Sequence, residues 1–301
     1  MSEGLLTPSA VRELAASIGL TPTKRWGQNF VVDANTVRRL VGLAGVKPGD
    51  VVLEVGPGLG SLTLGLLDAG AKVVAVEIDP KLAELLPQTV AQRLPEAADR
   101  LVVLQGDAMA LEKSIFGGGI FIRDGAHTWL EPTKLVANLP YNVAVPVVLT
   151  LLQRLYQMTD GLVMVQLEVA RRLTAEPGSK VYGVPSAKLA WFADAEFAGT
   201  VPASVFWPVP NVESGLVSFK CHPEMRDEAR HVQMWARRRM VFAVVDAAFA
   251  QRRKMLRSAL APLAAPEAVA YALEAAGVPQ TARGETCTIE QFAAIAAALN
   301  G

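Results

Sequence analysis

The run Val51-Val52-Leu53-Glu54-Val55-Gly56-Pro57-Gly58-Leu59-Gly60-Ser61 constrains this chain more than any other feature, because an apolar strand passes there through a glycine loop into a leucine-rich segment. With the turn Lys47-Pro48-Gly49-Asp50 before it and Leu62, Leu64, Leu66 and Leu67 after it, the pattern is strand, loop, buried helix. In such a unit the glycines let the main chain approach a ligand closely, and the helix N-terminus aims N–H groups at it. Position 61, where a dinucleotide fingerprint takes its third glycine, is Ser. That counts against NAD and against a nicotinamide oxidoreductase.

Three further strands end in polar residues. Lys72-Val73-Val74-Ala75-Val76 runs into Glu77, 21 positions after Gly56, the spacing at which open α/β folds place an acid for ribose hydroxyls. Asp79 is also acidic and close, but it precedes Pro80 and is expected to cap the next helix. Leu101–Gln105 ends at Gly106-Asp107-Ala108, where Asp107 is either an acceptor for an adenine amine or a turn cap. Lys134-Leu135-Val136-Ala137 ends at Asn138-Leu139-Pro140-Tyr141. An Asn carbonyl and a nearby main-chain carbonyl can accept both hydrogens of an exocyclic amine and leave its lone pair facing an electrophile, while a Tyr ring offers a stacking face. An ordinary strand-ending turn would account for the tetrapeptide taken alone. Parallel strands share one carboxyl edge, so the expected fold is α/β with Gly56, Glu77, Asp107 and Asn138 converging there.

A chain of 301 residues that is 51% hydrophobic is expected to form a large domain and a small one. The break is placed near Cys221-His222-Pro223, after the strand Gly215–Phe219, giving residues 1–221, with an N-terminal segment 1–45, and a helical part 222–301. Thr288 and Gln291 have capping-box spacing for the final helix. Residues from Gly117 to Pro132 read as a long loop, and Ser9–Ile18 as a short helix stopped by Gly19. Two distant cysteines, Cys221 and Cys287, indicate a reduced cytoplasmic setting without disulfide or zinc, and neither a signal pattern nor a bilayer-length apolar run is present. Formal net charge is zero, which argues against nucleic acid, but residues 211–260 hold ten Lys or Arg against five acids. Val232, Trp235, Val241, Val244, Val245, Ala248 and Phe249 are expected to form the buried stripe of that helix. Many of its arginines are then free to face outward, toward phosphate or simply toward water.

Several stretches together resemble the ribosomal RNA adenine N6,N6-dimethyltransferase family over nearly the whole chain. They are Lys24–Phe30, the Gly56 loop, Val76–Asp79, Gly106–Ala108, Asn138–Asn142, Phe206–Ser214 and Ala248–Lys254. The resemblance implies a Rossmann-like S-adenosylmethionine-dependent methyltransferase domain with a small helical C-terminal domain that docks RNA. It implies cofactor contacts from Asn29, the Val31 main chain, Gly56, Gly58, Glu77, Asp107, Ala108 and Asn138. Catalysis would fall to Asn138, Leu139, Pro140 and Tyr141, with Tyr141 and Phe206 as two faces around a flipped adenine. Lys24, Arg25, Arg252, Arg253, Lys254 and Arg257 would contact RNA, and no metal is expected. The implied partner is ribosomal RNA within a small-subunit particle, met by a monomer away from any membrane. The implied reaction is dimethylation of two adjacent adenosines in a 3′-terminal hairpin of 16S RNA during small-subunit biogenesis. Gln251–Arg257 and Arg283-Gly284-Glu285 favour that substrate over the large-subunit RNA of the related macrolide-resistance enzymes. A ribosome-assembly factor acting mainly by binding is a further alternative, against which the complete catalytic motifs argue.

Overall fold

A computed structural model of the chain describes residues 4–21, 28–114, 119–123, 127–226 and 228–300, with the backbone alone for 228–233. Lys24, Arg25 and Trp26 lie outside the described residues. The chain divides into two compact units, Met1–Ala170 with Glu196–Lys220, and Arg171–Ala195 with Cys221–Gly301. A single cut after Cys221 does not reproduce this division, because Arg171–Ala195 groups with the C-terminal helices.

Seven strands, five of them wholly within the first unit, form one sheet in the order Ala193–Val201, Ser214–Cys221, Asp160–Gln166, Lys134–Asn138, Val51–Val55, Lys72–Glu77, Leu101–Gln105. The last five are parallel, and Ser214–Cys221 runs antiparallel to Asp160–Gln166. Strands covered on both faces need no polar alternation, and Val73, Val74, Ala75 and Val76 are accordingly all buried. Sheet growth from Val51–Val55 goes one way through Lys72–Glu77 and the other way through Lys134–Asn138. The order therefore reverses between two neighbouring strands, and a crevice opens at such a point, beyond the carboxyl ends.

Local chemistry sets the flanking helices. Thr7 caps Pro8–Ser17 by accepting from the Ala10 N–H, and Gly19 follows with φ 60°, within one residue of the helix expected at each end. Asp79 accepts from the Lys81 N–H at 2.9 Å and starts Pro80–Arg93, the structural role expected of it. The stretch read as a loop differs: Ile120–Ile122 and His127–Thr128 join Leu111–Lys113 in a small antiparallel sheet. Runs of two and three residues are too short to carry a readable period.

The second unit is built on Glu228–Ala250 with Pro266–Ala275 and Ile289–Asn300. Val241, Val244, Val245 and Ala248 are buried, together with Phe292 and Leu273. Thr288 and Gln291 exchange the two bonds of a capping box, at 3.0 and 3.3 Å. Trp235, expected in the buried stripe, is 42% exposed. At roughly 100° per residue it sits about 120° round the helix from Val241, so the stripe does not include it. No helix among the described residues is long and apolar enough to cross a membrane.

Candidate functional site

The crevice at the strand reversal is a cavity of about 930 Å³ counted out to its open mouth. Asn29, Val31, Gly56, Gly58, Glu77, Asp107, Ala108 and Asn138, all singled out from sequence as one ligand set, line it. The loop after Val51–Val55 keeps positive φ at Gly56, Gly58 and Gly60. At Gly58 a side chain is also excluded by space, since a Cβ would lie 2.7 Å from the Phe30 ring. The loop and the Asn138 turn meet here: a Cβ on Gly56 would stand 3.8 Å from Pro140 Cδ.

Glu77 ends its strand with only 5% exposure. Its Oε2 accepts from the Gly58 N–H at 3.1 Å and its Oε1 from the Asp79 N–H at 2.9 Å. Burial raises its pKa, against the lowering effect of those two bonds. A carboxylate has about four lone-pair sites in all, so the backbone bonds to Glu77 do not exhaust it and a site is left for a ligand hydroxyl. Asp107 takes the turn-cap role, its Oδ1 accepting from the Met109 N–H at 2.8 Å, and its exposed side chain lines the cavity. The Ser at position 61 has a clear structural reason: its hydroxyl donates to the Val31 carbonyl at 2.6 Å and ties the 28–33 segment to the helix start.

The Asn138 side chain ties the same segment, its Nδ2 donating to the Asn29 carbonyl at 3.0 Å. That bond fixes which way the amide faces and leaves Oδ1 as an acceptor. In the turn after it, the Pro140 carbonyl accepts from the Val143 N–H, whereas the Leu139 carbonyl takes no hydrogen bond from the described residues. Pro140 lines the cavity; Leu139, Tyr141 and Phe206 do not. Tyr141 is half-buried, and its hydroxyl is 2.7 Å from that of Ser214, which is fully buried. Phe206 is 2% exposed, packed in the core and paired across from Val31.

The basic set divides as well. Arg252 is engaged within its own unit, with Nε donating to Glu285 at 2.9 Å and a terminal nitrogen donating to the Lys180 carbonyl at 2.6 Å. Arg253, Lys254 and Arg257 are exposed.

Sequence reasoning gave no role to Glu54, Gln28 or Ile78, which also line the cavity. The signal for Ile78 is an apolar residue directly after a strand-ending acid, and it is 52% exposed there. Glu54 is 1% exposed, and its Oε2 accepts from the Thr63 hydroxyl at 2.6 Å. Burial pushes its pKa from 4.5 up to about 8; the Thr63 bond opposes the rise and the charge of Glu77 adds to it. The folded chain thus keeps a proton that the unfolded chain has lost, so Glu54 makes stability fall as pH rises from about 4.5 to about 8. Glu54→Gln keeps a hydrogen-bond acceptor for Thr63 and cannot ionise. It should remove that fall, worth on the order of a few kcal/mol by pH 8. Thermal unfolding of both proteins across this range checks it, and parallel pH profiles would sink it.

Known proteins resemble this chain over nearly its whole length. Two relatives named Ribosomal RNA small subunit methyltransferase A are 55% identical over 97% of this chain and 98% of its own length (Leifsonia xyli) and 56% identical over 99% and 96% (Cutibacterium acnes). Among solved structures, a dimethyladenosine transferase from Plasmodium falciparum aligns with TM-score 0.65 at 20% identity, covering 87% of this chain and 94% of that one. The 23S rRNA methyltransferase ErmE aligns with TM-score 0.62 at 24% identity, covering 90% and 100%. At such identities these two speak for the fold alone, a Rossmann-like methyltransferase fold. The family profile described as Ribosomal RNA adenine dimethylase matches residues 20–300, and the chain belongs to that family of rRNA adenine dimethyltransferases.

Proposed function

We propose that this chain dimethylates the N6 amine of two adjacent adenosines in the 3′-terminal hairpin of 16S RNA, within a small-subunit particle, using S-adenosylmethionine. The observation that carries the reading is the Asn138 amide, turned by its bond to the Asn29 carbonyl so that Oδ1 is available at a cavity lined by Glu77 and Asp107.

The residues present fit the cofactor. The cavity lies in the size range of small-molecule sites, and its acceptors suit a nucleoside: Glu77 for ribose hydroxyls, Asp107 for an adenine amine, the glycine loop for close approach of the methionine portion. Ile78 offers an apolar face beside them. When bound, S-adenosylmethionine supplies a methyl group already activated on a sulfonium. The chain's own part is then alignment and exclusion of water. Asn138 Oδ1 and the Leu139 carbonyl accept the two amine hydrogens, which orients the nitrogen lone pair; Tyr141, its hydroxyl held by Ser214, provides a ring beside the base. No side-chain base is assigned, and solvent takes the proton after each transfer. In this reading Phe206 supports the Asn29–Val31 segment from the core, with its strand partner Val31, and does not stack on the base directly.

The names of the relatives support the small subunit as substrate, which the chain would meet in the cytoplasm as a monomer. Incubating the protein with methyl-labelled S-adenosylmethionine and separately purified unmethylated small and large subunits tests the reading. Label is expected in small-subunit RNA, mapping to two neighbouring adenosines. Label confined to the large subunit would reassign the substrate, and no label on either would leave a binding role.

A further inference from the structure

In the second unit, Arg238 is only 6% exposed, yet no hydrogen bond or ion pair joins it to any described residue. A guanidinium carries five N–H donors, and those of Arg238 keep only a narrow opening to solvent. What it meets instead is aromatic: its Cζ lies 5.9 Å from the centre of the Trp235 ring and 5.8 Å from that of Phe242. Arg239 sits over the same indole at 5.1 Å, and the two like charges, after burial itself, pull the Arg238 pKa down to about 10. The nearby acid on this helix, Asp246, is already paired with Lys188 at 2.8 Å. Trp235 meanwhile exposes 42% of its surface at the edge of an open groove lined also by Arg239, Met240 and Leu263.

Two neighbouring cations without a carboxylate partner among the described residues, set on an exposed indole, are complementary to a chain of phosphates carrying flat bases. An acidic peptide would satisfy the charges but would leave the indole without a matching planar partner. We infer that Trp235 and Arg239 form a docking platform for an unpaired stretch of RNA, the indole stacking with a base and the exposed Arg239 guanidinium meeting an adjoining phosphate, while the buried Arg238 holds the indole from behind. This inference rests on the reading that the chain acts on RNA, and it places a contact apart from the Arg252–Lys254 segment.

The test measures binding of a labelled single-stranded oligouridylate and of unmethylated small-subunit particles to the full-length protein. Trp235→Ser should weaken binding of the single strand by about fivefold or more without changing its salt dependence, and Trp235→Phe should restore most of it. Arg239→Gln should lower the salt slope by about one. Unchanged circular dichroism and melting temperature in each variant show that the fold of the second unit is intact. If both variants bind RNA normally while Arg253→Glu/Lys254→Glu does not, the platform falls and the RNA reading stands. Loss of particle binding in a protein that never binds the single strand would give the groove to a ribosomal protein and overturn the inference. Wild-type protein that binds neither probe would overturn both.

Discussion

Asn138→Ala is expected to slow single-turnover methylation at saturating cofactor by at least about a hundredfold, the scale of losing one preorganised polar contact in a transition state. The substitution removes the Oδ1 acceptor proposed for the target amine and also the Nδ2 bond to the Asn29 carbonyl. A modest loss of cofactor affinity should follow, because the Asn29 segment lines the same cavity. RNA affinity should barely change, since docking is assigned to the second unit. Asn138→Asp separates the two jobs of the side chain. It retains an acceptor oxygen but offers the Asn29 carbonyl no donor, so it should also be slow. A near-normal rate in the Asp variant would mean that the Asn29 bond does not set the orientation. A near-normal rate in the Ala variant would return Asn138-Leu139-Pro140-Tyr141 to the status of an ordinary turn.

Reversing Arg253 and Lys254 to Glu should weaken binding to unmethylated small-subunit particles tenfold or more, and the salt dependence should flatten by about two in slope if each meets one phosphate. Cofactor affinity and melting temperature should hold, because both side chains are exposed. Arg252 is the internal contrast. Its bonds to Glu285 and to the Lys180 carbonyl are intramolecular, so Arg252→Gln should act on stability, by no more than about 1 kcal/mol for so exposed a pair. Particle binding that survives the double reversal would leave the exposed pair as a solvated surface.

The difference between Arg252 and its neighbours illustrates what the sequence could and could not disclose. Gly56, Glu77, Asp107 and Asn138 were legible together because each ends a parallel strand, and parallel strands deliver their ends to one edge. Contacts between distant segments have no such rule behind them. The Tyr141–Ser214 bond joins residues 73 positions apart, and Arg252 reaches Lys180 across 72. Neither spacing leaves a pattern in the chain. Phe206 has a base-facing role only through the resemblance of Phe206–Ser214, whereas its burial depends on pairing with the segment around Val31. Trp235 fits the stripe by residue type alone, and only the packing of Val241, Val244 and Val245 selects the face that excludes it.

The reversal of strand order also sets how the site comes into being. Gly56, Glu77 and Asp107 fall within 52 consecutive residues, and their strands pair neighbour to neighbour in sequence. Asn138 joins them only when Lys134–Asn138 aligns with Val51–Val55, where Val52 meets Lys134 across 82 residues of chain. Local pairings form quickly, whereas distant ones must first overcome the entropy of closing a long loop. A nascent chain that has completed its first three parallel strands therefore holds the acceptors assigned to the nucleoside and none of those assigned to the amine.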